Sequence, residues 1–475
     1  MLGNAPVLGN APVPGNALGK AGKAPRPTRA SALDGVAADA GFDTVVVVMM
    51  ENRSFDHMLG WTGTDAAYLE AGRSRYGADF HIDGKQNQSF EDHQGEEVDS
   101  FWIPGEPGQK YPYEGCGEGI PGHSWRNGRV QRDQGFLAKG SGNTKFAVGY
   151  YDASDMGMYE QLVRRFTTGD RWFSSLLGPT FPNRQYLYAA QSAGQQGDPG
   201  PLRPGMFHTK TIWDNLVKAN VPSAYYYTDL PILPLWGKQF YDITHSLDEY
   251  FDDASKGRLA NVVMIDPGFQ IALRTDDHPV GDIRRGQRWL RSVFQAFAQS
   301  PHWERGVFVL IYDEWGGFFD HVRPPVVADS RRTRADGSNF GQLGFRVPAI
   351  VASPFAREGY ADHTAYDHTS VLRMLEWRFL GAPAQGTAAG KSGQWWLTPR
   401  DRNAANLART LTADANPDLG FDLTMDLPAG AAACTFGALG GAAHGDPFAN
   451  TSNQMADLQN TRFKSASEAP WQHGN

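Results

Sequence analysis

Two uninterrupted apolar runs, each followed at once by residues with oxygen-bearing side chains, constrain the fold more than any other feature of the chain. Residues 45–52 read VVVVMMEN, and residues 307–314 read VFVLIYDE. Neither run alternates in the way of a strand with one face in water, so each is typical of a strand buried on both faces of a parallel sheet. The sequence therefore predicts an α/β fold with both strands in its interior.

The polar residues that end these runs predict the position of a functional site. Ligands of open α/β sheets bind beyond the carboxyl ends of the strands, and this is where Glu51, Asn52, Asp313 and Glu314 would lie. Adjacent carboxylates repel each other, and burying them is costly unless a cation or hydrogen-bond donors compensate. The four residues are therefore candidate metal ligands. The alternative is structural: solvated loop acids, with Asn52 as the cap of the next helix.

A proline-rich segment between the two strands offers a candidate nucleophile. Residues 178–184 read GPTFPNR, in which Pro179 and Pro182 flank Thr180. The two prolines stiffen the backbone and predict a loop that presents the Thr180 hydroxyl, with a helix beginning at about Asn183. The first turn of that helix would offer N–H groups and a favourable dipole to a phosphate. Taken alone, such a threonine is more often a simple turn residue.

Five sequence blocks resemble, in order, those of the bacterial phosphoesterase family. This family includes phosphatidylcholine-type phospholipases C, plant non-specific phospholipases C and a group of acid phosphatases. The resemblance implies an alkaline-phosphatase-like fold, a three-layer α/β sandwich with a mostly parallel central sheet and loop insertions. The blocks are ENRSFDH at 51–57, GPTFPNR at 178–184, DDHP at 276–279, YDEWGGFFDHVRPP at 312–325, and VPAIVASPFAREGY with YDHTSVLRMLEWRFLG at 347–381.

The resemblance also implies roles for individual residues. The metal-ligand blocks of the family match the four residues at the strand ends, and its hydroxyl nucleophile matches Thr180. The residues that would contact the phosphoryl group are His123, Asn183 and His278. His321 and His368 also fall in family blocks, and His321 joins the candidate catalytic residues. For these last two the alternative is a structural histidine bonded to the backbone.

Ligand chemistry indicates which metal such a site would hold. Every proposed donor atom is an oxygen, which suits Ca²⁺, Mg²⁺ or Mn²⁺ better than Zn²⁺. We therefore expect one divalent, oxygen-ligated ion. A two-zinc arrangement is the alternative, in which Asp276, His278 and His368 would assemble a second centre.

A hydroxyl nucleophile beside a metal predicts two-step hydrolysis of a phosphoric ester. Thr180 would attack phosphorus, and water would then hydrolyse the phosphothreonine. A histidine would protonate the departing alkoxide, and the sequence does not decide which one. We predict a phospholipase C-type phosphodiesterase, because Thr stands where the acid phosphatase branch has Ser. The alternatives are an acid phosphatase-type phosphomonoesterase, which would use the same residues, and an inactive phosphate- or lipid-binding homologue.

Composition limits the partners of the chain. It has 475 residues and a net charge of −8, without the basic face that nucleic acid binding requires. The expected substrate is a phospholipid or a small phosphoester, and tryptophans in predicted loops could form a lip for peripheral membrane contact. The oligomeric state is not predicted. No membrane-spanning run or recognisable leader is visible, so the sequence as written predicts a soluble cytoplasmic protein, whereas the family resemblance points to secretion or the periplasm.

Composition also predicts how the chain is organised. Residues 1–39 contain repeats rich in Gly, Pro, Ala and Asn and are expected to form a disordered arm. The catalytic domain should cover 40–381, and 382–475 should form a C-terminal extension packed on it. Gly- and charge-rich stretches near 62–120 and 195–260 are expected to be insertions that wall the site. The sequence leaves open whether its two cysteines, Cys116 and Cys434, pair.

Overall fold

The structure, a computed structural model, describes residues 30–270, 274–331, 338–384, 395–416, 427–428, 447–448 and 451–466. Its centre is an eight-stranded sheet, and two short strand pairs lie outside it. In chain order the strands are β1 (Thr44–Met50), β2 (Ser89–Glu91), β3 (Glu97–Asp99), β4 (Phe101–Trp102), β5 (Gly149–Tyr150), β6 (Thr167–Gly169), β7 (Ser223–Tyr227), β8 (Thr244–Ser246), β9 (Val262–Asp266), β10 (Gly306–Tyr312), β11 (Ala349–Ala352) and β12 (Tyr360–Asp362).

The central sheet is mostly parallel. Its strand order is β12-β6-β11-β10-β1-β9-β7-β8, and of these described strands only β11 runs antiparallel to its neighbours. The two apolar runs form β1 and β10, which lie side by side in the middle of the sheet. Every residue of both strands is buried, as the unbroken apolar pattern requires. The predicted α/β fold with a mostly parallel sheet is confirmed.

Helices cover the sheet in two groups. The described α-helices are α1 (Phe55–Leu59), α2 (Ala66–Tyr76), α3 (Trp125–Gln134), α4 (Gly157–Arg165), α5 (Thr180–Ala189), α6 (Ile212–Lys218), α7 (Leu247–Ser255), α8 (Ile283–Ala298), α9 (Thr369–Leu380), α10 (Pro399–Asn403) and α11 (Asn453–Thr461). Helix α8 packs against α4 and α7, whereas α9 packs against α5, α6 and α10. Because the central strands are buried on both faces, these two groups account for the outer layers of a three-layer sandwich.

Amphipathic sequence explains how a helix is held on this sheet. The apolar residues of α8 recur at helical spacing, so they form one stripe that faces the core. These buried residues are Trp289, Leu290, Val293, Phe294 and Phe297. Short 3₁₀ turns connect several elements, at Ala32–Asp34, Ala37–Asp39, Gly60–Gly63, Ile103–Gly105, Lys145–Val148, Leu233–Trp236, Lys238–Ile243, Trp303–Arg305 and Leu407–Thr410.

The two stretches that were predicted to be insertions differ from each other. Residues 62–120 contain α2 and the short strands β2 to β4, which lie outside the central sheet. Residues 195–260 contain β7 and β8, which belong to the central sheet, so the prediction of an insertion is wrong there. The strand β7 reads SAYYY, without the aliphatic residues of β1 and β10, and lies in a Gly- and charge-rich context. The sequence pattern therefore did not identify it as a buried strand.

The chain termini are partly described. Residues 1–29 of the predicted arm lie outside the described residues, whereas 30–39 form two 3₁₀ turns with Leu33 buried. Near the other end, the backbone N–H of Ser452 donates to the Leu202 carbonyl oxygen at 2.9 Å, and Met455 is buried on the core. Among the described residues no cysteine is a free thiol, and Cys434 lies outside them.

Candidate active site

The carboxyl ends of β1 and β10 place the first candidate residues side by side. Met50 is opposite Tyr312 in the parallel register, so Glu51 and Asp313 follow on neighbouring strands. The backbone N–H of Asn52 donates to Asp313 Oδ1 at 2.8 Å and joins the two strand ends directly. Asn52 has φ 59°, a left-handed conformation that asparagine tolerates better than most residues. The strand ends therefore meet as the apolar runs predict.

A close approach of two backbones behind this junction requires a glycine. Gly316 has φ 63°, and a Cβ atom there would lie 1.9 Å from the carbonyl oxygen of Asn52. The N–H of Gly316 donates to Glu314 Oε2 at 2.8 Å. Any side chain at position 316 would push apart the loops that carry Asn52 and Glu314.

Thr180 lies beside Glu51. Its hydroxyl donates to Glu51 Oε2 at 3.2 Å, and both side chains are fully buried. Helix α5 begins at Thr180 itself, so the prediction that it begins at about Asn183 is wrong. Pro182 is tolerated in the first turn because N–H groups there have no intrahelical acceptor, and its missing N–H costs no helical hydrogen bond. The hydroxyl is thus held at a helix start instead of in an extended loop.

Asn183 faces the backbone of the preceding loop. Its Oδ1 accepts from the Leu176 N–H at 2.8 Å, and its Nδ2 donates to the Gly178 carbonyl oxygen at 2.8 Å. Further contacts join Nδ2 to the carbonyl oxygens of Leu176 and Pro179. Both ends of the amide therefore shape the loop that leads into Thr180. This geometry gives Asn183 a positioning role in place of the phosphoryl contact predicted for it.

A buried arginine outside the predicted set joins the same group. Arg184 Nε and Nη2 lie 2.7 and 2.6 Å from Glu51 Oε1, and Nη1 lies 2.8 Å from Asp266 Oδ1 at the end of β9. Because Arg184 follows Thr180 by four residues, the two side chains lie on one face of α5. That spacing is the sequence signal that could have identified it.

Burial and mutual repulsion dominate the electrostatics of the carboxylates. Glu51, Asp313 and Glu314 are all fully buried. Burial, followed by the charge of Asp313, raises the pKa of both Glu51 and Glu314 well above the usual range. Burial also raises the pKa of Asp313, and the guanidinium of Arg184 opposes this rise. A single guanidinium does not balance three carboxylates, so a further cation would stabilise the group.

The donor atoms of the group fit a hard metal ion. Three buried oxygen atoms of this group lack a hydrogen-bond partner among the described residues, namely Asn52 Oδ1, Asp313 Oδ2 and Glu314 Oε1. Amide and carboxylate oxygens are ligands of Ca²⁺, Mg²⁺ and Mn²⁺. No three His, Cys, Asp or Glu residues in the described ranges form a ready metal site. The metal ion itself stays a prediction.

Two of the predicted histidines lie together beside this group. The rings of His123 and His278 meet edge to face, with centroids 6.2 Å apart. His123 Nδ1 donates to the Pro121 carbonyl oxygen at 2.9 Å, so its Nε2 can accept from Asn52 Nδ2 at 3.5 Å. Among the described residues, the buried Nε2 of His278 has no hydrogen-bond partner. Burial, assisted by the charge of Arg274, holds the pKa of His278 well below its usual range, so the ring is neutral at pH 7.

His321 makes its contacts elsewhere. Its Nδ1 lies 2.6 Å from Asp56 Oδ2 and its Nε2 lies 2.9 Å from Asp83 Oδ1, so carboxylates hold both ring nitrogens. Burial alone would lower its pKa, but these two hydrogen bonds raise the pKa of His321 to about 9. Arg346 pairs with Asp56 at 2.9 Å in the same cluster. An imidazolium with both nitrogens occupied suits a structural ion pair, and this geometry does not support the predicted catalytic role.

His368 supports the site from behind. Its Nε2 donates to the Asp313 carbonyl oxygen at 2.6 Å, and its Nδ1 accepts from Trp172 Nε1 at 3.4 Å. Burial lowers the pKa of His368 to about 4, so the ring is neutral. Because both nitrogens are used, His368 fixes the backbone of a candidate metal ligand and offers no nitrogen to a second metal centre.

Comparison with known proteins places this site in a family. Residues 42–380 match the model of the Phosphoesterase family. The chain belongs to this family. Non-specific phospholipase C6 of Arabidopsis thaliana is 30% identical to it over 359 residues, which make up 70% of this chain and 67% of that protein. Phospholipase C B of Mycobacterium tuberculosis is 29% identical over 320 residues, 58% of each chain. The chain also resembles a solved structure of a protein in the alkaline phosphatase superfamily from Vibrio parahaemolyticus. The two align with a TM-score of 0.31 and 11% sequence identity, over 76% of this chain and 93% of that one.

This phosphoesterase is therefore a phosphoric ester hydrolase, as its sequence blocks predict. The matched region begins just before β1 and ends in α9, so it contains every candidate residue described above. The C-terminal extension lies beyond that region. Among the described residues, no helix is long and apolar enough to cross a membrane.

Proposed function

We propose that this phosphoesterase is a phospholipase C-type phosphodiesterase that acts through a covalent phosphothreonine at Thr180. The names of its relatives support the reaction class. The observation that carries the proposal is the contact between the Thr180 hydroxyl and Glu51, at the point where the ends of β1 and β10 meet. The substrate would be a phospholipid or a small phosphodiester, and any membrane contact would be peripheral.

Attack by Thr180 Oγ on phosphorus would be the first step. Because the hydroxyl proton is directed at Glu51 Oε2, the lone pairs of the oxygen are left for phosphorus. The start of α5 fixes the main chain of Thr180, and Asn183 fixes the loop before it. A nucleophile held in one place avoids much of the entropic cost of bringing two reactants together. The hydroxyl proton would pass to Glu51 Oε2, the bond to the leaving alkoxide would break, and the alkoxide would take a proton from water. The threonine would then carry the phosphoryl group with its remaining ester.

The buried acids and Arg184 would prepare the nucleophile. A divalent ion held by Asn52, Asp313 and Glu314, together with Glu51, would lower the pKa of the hydroxyl and stabilise charge on the phosphoryl oxygens. Arg184 orients Glu51 through contacts of 2.6 and 2.7 Å to Oε1, which leaves Oε2 for Thr180.

The two neighbouring histidines would manage protons and oxygens. His278 Nδ1 lies 3.0 Å from the Pro279 carbonyl oxygen and 3.2 Å from Arg274 Nη1. In the tautomer that donates from Nδ1 to the carbonyl oxygen, the buried Nε2 would carry a lone pair. Since the pKa of His278 is well below its usual range, the ring carries no stored proton for the first leaving group at pH 7. It suits uptake of a proton from the water that hydrolyses the phosphothreonine. His123 would bind a phosphoryl oxygen beside Asn52 only with a proton on Nε2, in place of the contact between Nε2 and Asn52 Nδ2.

Substitution at position 180 tests the covalent mechanism. Thr180→Ala should abolish turnover of p-nitrophenylphosphorylcholine, and Thr180→Ser should keep measurable activity because it retains a hydroxyl. Mass spectrometry of acid-quenched wild-type enzyme should show phosphorylcholine attached to the peptide that contains Thr180. An alanine variant with more than a few percent of the wild-type rate would instead indicate direct attack by water.

A substrate panel separates the phosphodiesterase from the phosphomonoesterase alternative. Specificity constants would be compared for p-nitrophenylphosphorylcholine, p-nitrophenyl phosphate, phosphatidylcholine and phosphatidylethanolamine, with Ca²⁺, Mg²⁺, Mn²⁺ or Zn²⁺ added back after chelation. The proposal predicts that the diesters are the better substrates. A higher kcat/KM for p-nitrophenyl phosphate would identify an acid phosphatase-type enzyme, and no turnover of any substrate would identify a binding protein.

A further inference from the structure

A carboxylate that the mechanism does not use lies at the start of the nucleophile helix. Asp198 Oδ1 accepts from the backbone N–H of Phe181 at 2.9 Å. Phe181 directly follows Thr180, and consecutive Cα atoms are only about 3.8 Å apart, so this carboxylate is a close neighbour of the reacting hydroxyl. Asp198 is partly exposed, in contrast to the fully buried Glu51 and Glu314. Part of its surface therefore faces solvent.

Asp198 takes the place that an anionic ligand would otherwise occupy. The first N–H groups of a helix bind phosphate because they lack intrahelical acceptors and carry the positive end of the dipole. In α5 the Phe181 N–H is bonded to Asp198, and Pro182 has no N–H to offer. A phosphate at Thr180 thus meets a helix start at which one N–H group is bonded to a protein carboxylate and another is absent. That arrangement weakens the attraction for highly charged anions.

The loop that carries Asp198 is tied to the same helix. Gln185 Nε2 donates to Gln195 Oε1 at 2.8 Å, and Ser192 Oγ donates to the Gln195 carbonyl oxygen at 2.9 Å. The loop therefore folds back from the end of α5 to its start. Asp198 is thus held at the end of α5 that carries Thr180.

We propose that Asp198 is a specificity-determining residue, whose charge favours phosphoesters with a singly charged phosphate, above all those with a cationic head group, over dianionic monoesters. The inference rests on the proposed function and names the substrate property that this site selects. A phosphodiester carries one negative charge, whereas a monoester carries close to two at neutral pH. Repulsion by Asp198 disfavours the second charge, and attraction favours an ammonium group on the head group.

Two substitutions separate the charge of Asp198 from its hydrogen bond. Asp198→Asn keeps Oδ1 as the acceptor for the Phe181 N–H and removes the charge, whereas Asp198→Ala removes both. Asp214→Asn is the matched control, because Asp214 accepts from Thr211 at the start of α6, a different helix. The substrates are p-nitrophenyl phosphate, bis(p-nitrophenyl) phosphate and p-nitrophenylphosphorylcholine. They share one leaving group and differ in charge.

We expect Asp198→Asn to raise kcat/KM for the dianion p-nitrophenyl phosphate and to lower it for zwitterionic p-nitrophenylphosphorylcholine. The ratio of kcat/KM for p-nitrophenylphosphorylcholine to kcat/KM for p-nitrophenyl phosphate should fall at least about tenfold, because like charges a few Å apart near a protein surface interact by more than this factor. The monoanion bis(p-nitrophenyl) phosphate should change least, and Asp214→Asn should change no ratio. The competitive inhibition constant of inorganic phosphate should fall in Asp198→Asn. Added salt should reduce these differences.

An unchanged ratio in Asp198→Asn, or an equal loss for all three substrates in both Asp198 variants, would overturn the inference and leave Asp198 as a helix cap only. Failure of the proposed function has a different signature. If the wild type hydrolyses only p-nitrophenyl phosphate, the phosphodiesterase assignment is wrong. The rise in monoester turnover and in phosphate affinity on Asp198→Asn would still test the effect of the charge.

Discussion

Replacing His321 by Gln tests whether this histidine belongs to the scaffold or to the chemistry. The imidazolium lies between Asp56 and Asp83, and each ring nitrogen contacts one of these carboxylates. Glutamine keeps some hydrogen-bonding capacity and removes the charge. We expect a loss of stability with little change in kcat, because the described hydrogen bonds of His321 reach none of the proposed catalytic or metal-binding residues.

The size of the stability loss follows from the pKa of His321. A rise from 6.5 to about 9 corresponds to about 3 kcal/mol of folding free energy. The side chain is only 22% exposed, so solvent screening removes a minor part of this value. Because the folded-state pKa is raised, the contribution is fully present below pH 6.5 and is lost as the pH rises through about 9. The Gln variant should therefore be less stable than the wild type by about 2 to 3 kcal/mol at pH 6 and nearly equal to it above pH 10.

Urea unfolding at pH 6, 8 and 10, with kcat on p-nitrophenylphosphorylcholine at pH 7, measures both effects. His363→Gln is the comparison, because His363 also bonds a buried acid, Asp170 at 2.8 Å, but is 42% exposed and should lose less. A hundredfold fall in kcat at unchanged stability would refute the reasoning and return His321 to the active site. So would a stability loss that does not vary with pH.

Three further changes test other parts of the structure. Gly316→Ala should abolish activity, because its Cβ would lie 1.9 Å from a backbone carbonyl oxygen. Gly197→Ala is the control and should have no effect on kcat, because there is open space at its Cβ. Circular dichroism would show that both variants are folded. Asp313→Ala should not retain the divalent ion, as measured by elemental analysis, and its kcat should be lower by several orders of magnitude. A variant that keeps stoichiometric metal would show that Asp313 is not a ligand. Phe448→Ala should lower the free energy of unfolding by about 3 kcal/mol, because its buried ring stacks on Phe269 with the ring centroids 4.0 Å apart. Phe448→Leu should lower it by less. A Phe448→Ala variant as stable as the wild type would show that this segment does not contribute to the fold.

The parts of the site that could be predicted from sequence are those that local pattern fixes. An unbroken apolar run identifies a buried strand, and the carboxyl ends of parallel neighbours share one edge of the sheet. These two rules bring Glu51 and Asp313 together, although 261 residues separate Asn52 from its hydrogen-bond partner Asp313. The family blocks add Thr180, whose contact with Glu51 no periodicity would reveal.

The parts that could not be predicted depend on long-range pairing of charged side chains. The spacing from Thr180 places Arg184 on the same face of α5, but nothing in the sequence indicates its partner Asp266, which lies 82 positions further along the chain. His321 stands in a family block, but its contacts with Asp56 and Asp83 raise its pKa to about 9, which favours a structural role over one in proton transfer. The start of α5 was placed three residues too late because proline is excluded from helix interiors but not from first turns.

The central claim is that Thr180 forms a covalent bond to phosphorus, and the stereochemical course of the reaction tests it most directly. A substrate made chiral at phosphorus with sulfur and oxygen isotopes would be hydrolysed, and the configuration of the product would be determined. Each in-line displacement inverts phosphorus, so attack by Thr180 followed by water predicts net retention. Net inversion would mean a single displacement by water and would contradict the phosphothreonine mechanism.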